Sequence, residues 1–137
     1  MRFWDTSALF PLIFRESSSG AMRRLFTSDD AVLVSFLTPL ELQAAVRRRT
    51  RLLNADAVER IEAGRRLLES RMLVIDDAGA TVATAREILV THALRAADAV
   101  QLAAALIARA GGPRFDFVSL DTDLSAAARA EGFPVLS

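Results

Sequence analysis

Four acidic residues occupy positions from which their carboxylates could work together. Asp5 directly follows the apolar dipeptide FW, and Asp121 directly follows the apolar segment FVSL. Glu41 and Asp98 each fall in the first turn of a predicted helix. In an open α/β sheet, ligands bind in the crevice at the carboxyl ends of the strands, so acids placed there would point into that crevice.

Converging carboxylates repel one another, and a hard divalent cation such as Mg²⁺ or Mn²⁺ is their natural neutraliser. Such ions lower the pKa of a bound water and clamp attacking and leaving oxygens, which is the chemistry of phosphodiester hydrolysis. That chemistry needs no side-chain nucleophile, and the chain has no Cys, no Lys and a single His, His92. His92 falls near the end of a predicted helix, where the helix dipole favours a surface histidine.

Each of these acids also has a purely structural interpretation. Asp5 could cap a helix, Glu41 could complete a capping box with Thr38, and Asp121 could begin a turn. Asp98 could complement a helix dipole. However, Asp98 interrupts a face that is otherwise apolar, and a lone buried carboxylate is costly unless it is paired or bound to a metal.

The elements that must position these acids alternate between strand and helix. Strands are predicted at 3–4, 31–36, 72–76, 117–120 and 134–136, and the run at 31–36 is apolar throughout, as in a strand buried on both faces. Helices are predicted at 7–14, 17–26, from 38 onward, 55–70, 80–92, 95–110 and 125–131, with Gly111 and Gly112 ending the sixth. This alternation predicts a parallel sheet flanked by helices.

The composition indicates the broad class of protein to which the chain belongs and excludes other classes. The chain has 137 residues, 52% hydrophobic and 25% charged, and we expect one domain over 1–137. With 17 basic and 17 acidic residues, net charge does not identify a partner. We expect a cytoplasmic protein without a membrane segment, since no signal peptide and no apolar run of about 18 residues is visible.

Two arginine features have open interpretations. Arg47, Arg48, Arg49 and Arg51 form a run that is either a solvated helix face or a contact for RNA phosphates. Arg95 precedes Asp98 by three residues and shares its helix face, so it could pair with Asp98 or bind phosphate.

The segments FWDTSAL, TPLELQAAV, LRAADAVQLAAAL and FVSLDTDLSAAARAEGF resemble the consecutive motifs of PIN-domain ribonucleases, specifically the VapC toxins of bacterial toxin–antitoxin pairs. The likeness covers nearly the whole chain in the right order. It implies a three-layer α/β/α fold with a central parallel sheet flanked by helices. It also implies a Mg²⁺-dependent endoribonuclease that cleaves RNA with a metal-activated water.

Matched residue by residue, Asp5, Glu41, Asp98 and Asp121 fall on the four acidic positions of that family. The resemblance implies that Asp5, Asp98 and Asp121 hold Mg²⁺, with Mn²⁺ able to substitute, and that Glu41 completes the shell or orients the attacking water. Supporting roles fall to the remaining matched positions, which are Ser7, Ser119, Asp123 and Arg95. Gln101 stands where many relatives have His.

The resemblance further implies an RNA substrate, a VapB-type antitoxin whose tail lies beside the active site, and a homodimer. The alternative is a catalytically inactive PIN-like domain that binds RNA or protein. A phosphoacceptor receiver domain is disfavoured because it needs a Lys. An aspartyl phosphatase is disfavoured because TSA follows Asp5, without a second Asp two residues on.

Overall fold

A central sheet of parallel strands runs through the molecule. The computed structural model describes residues 1–110 and 112–137, so Gly111, one of the two glycines expected to end a helix, lies outside the described residues. Within that part of the chain the strands are β1 (Arg2–Trp4), β2 (Val32–Ser35), β3 (Met72–Ile75), β4 (Asp116–Val118) and β5 (Val135–Leu136). They lie in the order β3-β2-β1-β4-β5, and every neighbouring pair is parallel.

Helices connect the strands. Over the described residues they are α1 (Thr6–Ile13), α2 (Ser19–Thr27), α3 (Thr38–Arg49), α4 (Ala55–Glu69), α5 (Ala78–Thr91), α6 (Ala96–Ala110) and α7 (Thr122–Ala130). Several begin at side-chain caps: Asn54 accepts from the amide of Ala57, and Asp77 accepts from that of Ala80. None of the described helices is both long and apolar enough to cross a membrane.

The two faces of the sheet carry separate helical layers. On one face Trp4 and Val34 pack among side chains of α1, α2, α3 and α4. On the other face Phe3, Leu33 and Phe117 pack among side chains of α5, α6 and α7. Successive strand residues point to opposite faces, so the adjacent Phe3 and Trp4 contribute to different cores. The three-layer α/β/α architecture predicted from the sequence is therefore confirmed.

Burial along the strands follows their place in the sheet. All four residues of β2 are buried, as predicted for an interior strand covered on both faces. In contrast, β3 forms an edge, and its Leu73 and Val74 are 55% and 41% exposed. The interior position of β1 and β2 places the helices that follow them, α1 and α3, next to each other.

The caps of two helices differ from those expected, although α3 does begin at Thr38 as predicted. The last helix begins at Thr122 rather than at 125, because the Oδ1 of Asp121 accepts a hydrogen bond of 2.8 Å from the amide of Leu124. The capping box predicted for Thr38 and Glu41 does not form. The N-cap of α3 is Leu37, which makes no side-chain cap. Both polar side chains are instead engaged in contacts with other elements, described next.

A candidate active site at the carboxyl edge of the sheet

The four predicted acids line one pocket of about 360 Å³. Asp5 directly follows β1, and Asp121 lies three residues after the end of β4. Glu41 and Asp98 lie in the first turns of α3 and α6. Parallel strands end at the same edge of a sheet, so this topology brings together acids that are far apart in sequence.

Asp5 is the most deeply buried of the four acids. Its Oδ2 accepts hydrogen bonds from the amide of Ser7 at 3.2 Å, from the hydroxyl of Ser7, and from the hydroxyl of Ser119 at 3.0 Å. Burial raises the pKa of Asp5 to about 6; the hydrogen bonds from Ser7 and Ser119 act against this, and repulsion from Glu41 adds to it. The two serines predicted as supporting residues therefore contact Asp5 directly.

Glu41 is held by two side chains from other helices. Its Oε2 accepts a hydrogen bond of 2.5 Å from the hydroxyl of Thr6 and one of 2.8 Å from the amide of Gln101. The Gln101 side chain is only 1% exposed, and its Nε2 also lies 2.8 Å from the Thr6 hydroxyl and 3.1 Å from that of Thr38. This network joins α1, α3 and α6 beneath the pocket and keeps the Glu41 carboxylate in one place.

Arg95 bridges the remaining two acids. Its Nε lies 3.2 Å from Oδ2 of Asp98, and its Nη2 lies 3.3 Å from Oδ2 of Asp121. The nearby Asp98 carboxylate raises the pKa of Arg95 above its already high ordinary value. The Arg95 side chain is 81% exposed, so the cation lies at the mouth of the pocket. Of the two interpretations from sequence, the structure has Arg95 paired with an acid.

Two titratable residues considered from sequence lie outside this pocket. Asp123 is in the first turn of α7 and lines a different depression, together with His92. The Nε2 of His92 is 2.8 Å from a carboxylate oxygen of Glu131. Neither side chain is among those that line the pocket of the four acids.

Sequence reasoning missed three polar residues of the site: Thr6, Thr38, and Gln101 as a hydrogen-bond donor. Arg48, which belongs to the arginine run considered as an RNA contact, also lines the pocket. A signal for Gln101 was present, because it follows Asp98 by three residues and so shares its helix face. No local signal marks Thr6 and Thr38, whose hydroxyls lie 3.4 Å apart across two helices.

The oxygen atoms of the site are of the kind that Mg²⁺ prefers, since carboxylates and hydroxyls are hard ligands. Across residues 1–110 and 112–137, however, no three Asp, Glu, His or Cys side chains come close enough together to hold a metal ion. The acids are engaged by protein donors instead: serines at Asp5, Thr6 and Gln101 at Glu41, and Arg95 at the other two. The residue types fit Mg²⁺. In the observed side-chain positions, however, the carboxylates are satisfied by donors of the protein itself.

A second depression, of about 400 Å³, lies at the amino ends of β4 and β5. Its described lining includes Arg109, Arg114 and Phe133, with Asp116 as the single acid. It therefore lacks the carboxylate cluster that distinguishes the pocket at the opposite edge.

Comparison with known proteins gives one family and several similar folds. The model of the family described as "PIN domain" matches residues 2–130. A toxin–antitoxin complex from Klebsiella pneumoniae has a chain of 17% identity and TM-score 0.69, covering 100% of this chain and 97% of that one. No curated protein matches the sequence significantly.

Two further solved structures have the same fold. VapC20 of Mycobacterium tuberculosis, described as a sarcin-ricin loop cleaving toxin, is 24% identical with a TM-score of 0.67. The alignment covers 97% of this chain and 96% of that one. FitAcB of Neisseria gonorrhoeae is 22% identical with a TM-score of 0.69, over 100% and 97% of the two chains. At these identities the likeness establishes the fold.

Proposed function

Because the chain belongs to the PIN domain family, we propose that it is a Mg²⁺-dependent endoribonuclease and the toxin of a toxin–antitoxin pair. The observation that carries the proposal is the single pocket lined by Asp5, Glu41, Asp98 and Asp121. The neighbour from M. tuberculosis, which is described as cleaving the sarcin-ricin loop, supports RNA as the substrate.

In this proposal the acids divide into two roles. Asp5, Asp98 and Asp121 would hold Mg²⁺, whose chemistry is to lower the pKa of a bound water and to neutralise charge on the phosphate. Glu41 would accept a hydrogen bond from the attacking water, because Thr6 and Gln101 both donate to its Oε2 and fix the carboxylate. That fixed orientation reduces the reorganisation needed when the phosphodiester bond breaks.

Arg95 would act as an internal counter-ion that is exchanged during the cycle. It neutralises Asp98 and Asp121 in the structure, and its own side chain is 81% exposed, whereas those of the two acids are 18% and 23% exposed. With Mg²⁺ held by Asp98 and Asp121, the Arg95 guanidinium would no longer be needed as their counter-ion and, at the mouth of the pocket, could bind a phosphate bidentately. Pairing with an acid and binding of phosphate are then successive states of one side chain.

The proposal also includes a partner protein. The neighbour from K. pneumoniae is a toxin–antitoxin complex, which supports a VapB-type antitoxin as the partner of this chain. The homodimer inferred from the family resemblance stays a prediction.

The test is inducible expression of the wild type, Asp98→Asn and Asp30→Asn in a bacterial host that lacks the antitoxin. Asp30 is an exposed acid that precedes β2, at the opposite edge of the sheet, and therefore provides a control of the same chemistry. We expect the wild type and Asp30→Asn to arrest growth and to produce discrete RNA fragments. Asp98→Asn should do neither at equal protein levels.

Cleavage assays with purified protein then test whether the activity requires a metal ion. Cleavage of total RNA should need Mg²⁺ or Mn²⁺ and stop with a chelator, and Asp98→Asn should be at least about 100-fold slower, as for loss of one preorganised charge in an active site. Metal-dependent cleavage retained by Asp98→Asn would rule out the assigned site. RNA binding without any cleavage would favour the inactive binding domain.

A further inference from the structure

Arg48 belongs to two adjoining depressions. Glu41, Ala44 and Arg48 follow one another at helical spacing along α3, and all three line the pocket of the four acids. Arg48 also lines a neighbouring depression of about 540 Å³, here called the basic groove. The residues of the basic groove are Arg47, Arg48, Thr50, Arg51, Leu53 and Val58.

The arginines of the basic groove are not used to hold the fold together. Arg47, Arg48 and Arg51 are exposed, and no carboxylate lies within 4.0 Å of them among the described residues. The helix dipole favours positive charge at the end of α3, but it does not require that a guanidinium line the acidic pocket.

Arg49, in the same run, behaves differently. Its Nη1 lies 2.7 Å from a carboxylate oxygen of Glu16, and its guanidinium lies 4.4 Å from the ring centre of Phe14. On α4, Arg65 is likewise flanked by two glutamates. The arginine run therefore contains one structural residue and three residues whose charge is uncompensated.

We infer that the basic groove binds the backbone of single-stranded RNA on one side of the bond placed in the pocket, with Arg48 as the first phosphate contact. This inference rests on the proposed function, because an RNA strand that is cut in the pocket must extend across the protein surface beside it. The rise of an α-helix places Arg48 about 10 Å along the axis from Glu41, so it meets a phosphate beyond the reacting one. Guanidinium planes also stack on unpaired bases, and Leu53 and Val58 provide apolar surface beside them.

The test measures RNA binding by variants in an Asp98→Asn background, which prevents cleavage. Arg48→Gln, Arg51→Gln and the double variant are compared with Arg86→Gln. Arg86 is an exposed arginine of α5, in the helical layer on the other face of the sheet, and no ion pair involves it in the described residues. Each substitution removes one positive charge, so Arg86→Gln controls for net charge.

The probe is a fluorescently labelled, mixed-sequence RNA of 12 nucleotides, followed by anisotropy at several NaCl concentrations. Each of Arg48→Gln and Arg51→Gln should weaken binding several-fold and reduce the slope of log K against log salt by about 0.7, the value for one lost single-strand phosphate contact. The double variant should show the combined effect of both substitutions on the affinity and on the salt slope. Arg86→Gln should change neither the affinity nor the slope.

Three results would overturn the inference. If Arg48→Gln and Arg51→Gln bind RNA with the same affinity as Arg86→Gln, the RNA strand lies elsewhere on the protein. The proposed function would still stand if the wild type cleaves RNA. If the groove variants lose binding to polyglutamate but still bind RNA, the occupant of the basic groove is an acidic protein. Absence of RNA binding by the parent protein at low salt would also refute it. Conversely, groove-dependent binding by a chain that never cleaves RNA would reject the nuclease and retain the groove.

Discussion

The buried carboxyl of Asp5 should make the metal-free fold less stable at neutral pH, and Asp5→Asn should relieve this. Burial raises the pKa of Asp5 from its ordinary 3.8 to about 6. Each tenfold change in an equilibrium constant corresponds to about 1.4 kcal/mol, so ionised Asp5 costs about 3 kcal/mol of folding free energy at pH 7.

The asparagine variant keeps most of the local contacts. Asn is as good an N-cap as Asp, so the hydrogen bond from the Ser7 amide is retained. The hydroxyls of Ser7 and Ser119 lose an ionised acceptor, which costs about 1 kcal/mol. We therefore expect Asp5→Asn to be about 2 kcal/mol more stable than the wild type at pH 7. That difference corresponds to an increase of about 8 °C in the midpoint of thermal unfolding.

The sign of the pH dependence follows from the raised pKa. Between pH 3.8 and about 6 the folded wild type binds more protons than the unfolded chain, so this carboxyl reduces stability as pH rises through that range. Asp5→Asn lacks this titration. Its advantage over the wild type should therefore be largest at pH 7 and well under half as large near pH 5. Below pH 3.8 it should reverse, because only the cost of about 1 kcal/mol for the weaker acceptor remains there.

The assay is thermal and urea unfolding of the wild type, Asp5→Asn and Asp30→Asn with a chelator present, from pH 4.5 to 7.5. The exposed Asp30 should change stability by less than about 0.5 kcal/mol at every pH. If Asp5→Asn is the less stable protein at pH 7, or if its difference from the wild type does not change between pH 5 and 7, burial does not dominate at Asp5 and the reasoning is wrong.

Two further predictions concern buried hydrogen bonds. Gln101→Leu removes the donor to Oε2 of Glu41 and should lower the free energy of unfolding by about 1 to 3 kcal/mol, because the hydroxyls and carboxylate beneath the pocket lose a partner. Urea unfolding at pH 7 measures this, and an unchanged midpoint would show that water replaces the amide. Trp4→Phe removes the 2.7 Å hydrogen bond from the indole to the buried Asp29 and should cost about 1.5 to 3 kcal/mol plus lost packing. Urea unfolding at pH 7 measures this cost as well, and an unchanged midpoint would show that the amino group of Met1, 2.9 Å from Oδ1 of Asp29, is a sufficient partner for the buried carboxylate.

The architecture could be predicted because it depends on patterns that are local in sequence. The apolar run of β2, the alternation of strands and helices, and the adjacent Phe3 and Trp4 each reflect burial on a particular face. The grouping of the four acids followed from the same reasoning, since parallel strands end at one edge. Boundaries were less well predicted, because a cap such as Asp121 can extend a helix by a turn.

The partners of the acids could not be predicted, because they depend on contacts between distant elements. Gln101 reaches Glu41 across 60 positions of sequence, and Arg95 reaches Asp121 across 26. The spacing of Gln101 and Arg95 from Asp98 places them near that acid, but nothing local indicates that Gln101 donates to Glu41 or that Arg95 reaches Asp121. The same limit applies to the arginine run, because only the folded chain shows that Arg49 pairs with Glu16 whereas Arg48 lines the pocket.

Capping and a role in the pocket are not alternatives for these acids, because the structure combines them. Asp121 caps α7 through Oδ1 and contacts Arg95 through Oδ2, so one carboxylate serves a helix and the pocket at once. Asp5 likewise caps α1 while lining the pocket. Because Asn caps a helix as well as Asp does, replacement by Asn removes the charge and keeps the cap. Substitution of these two residues by Asn therefore separates their electrostatic role from their role in folding, which substitution by Ala cannot do.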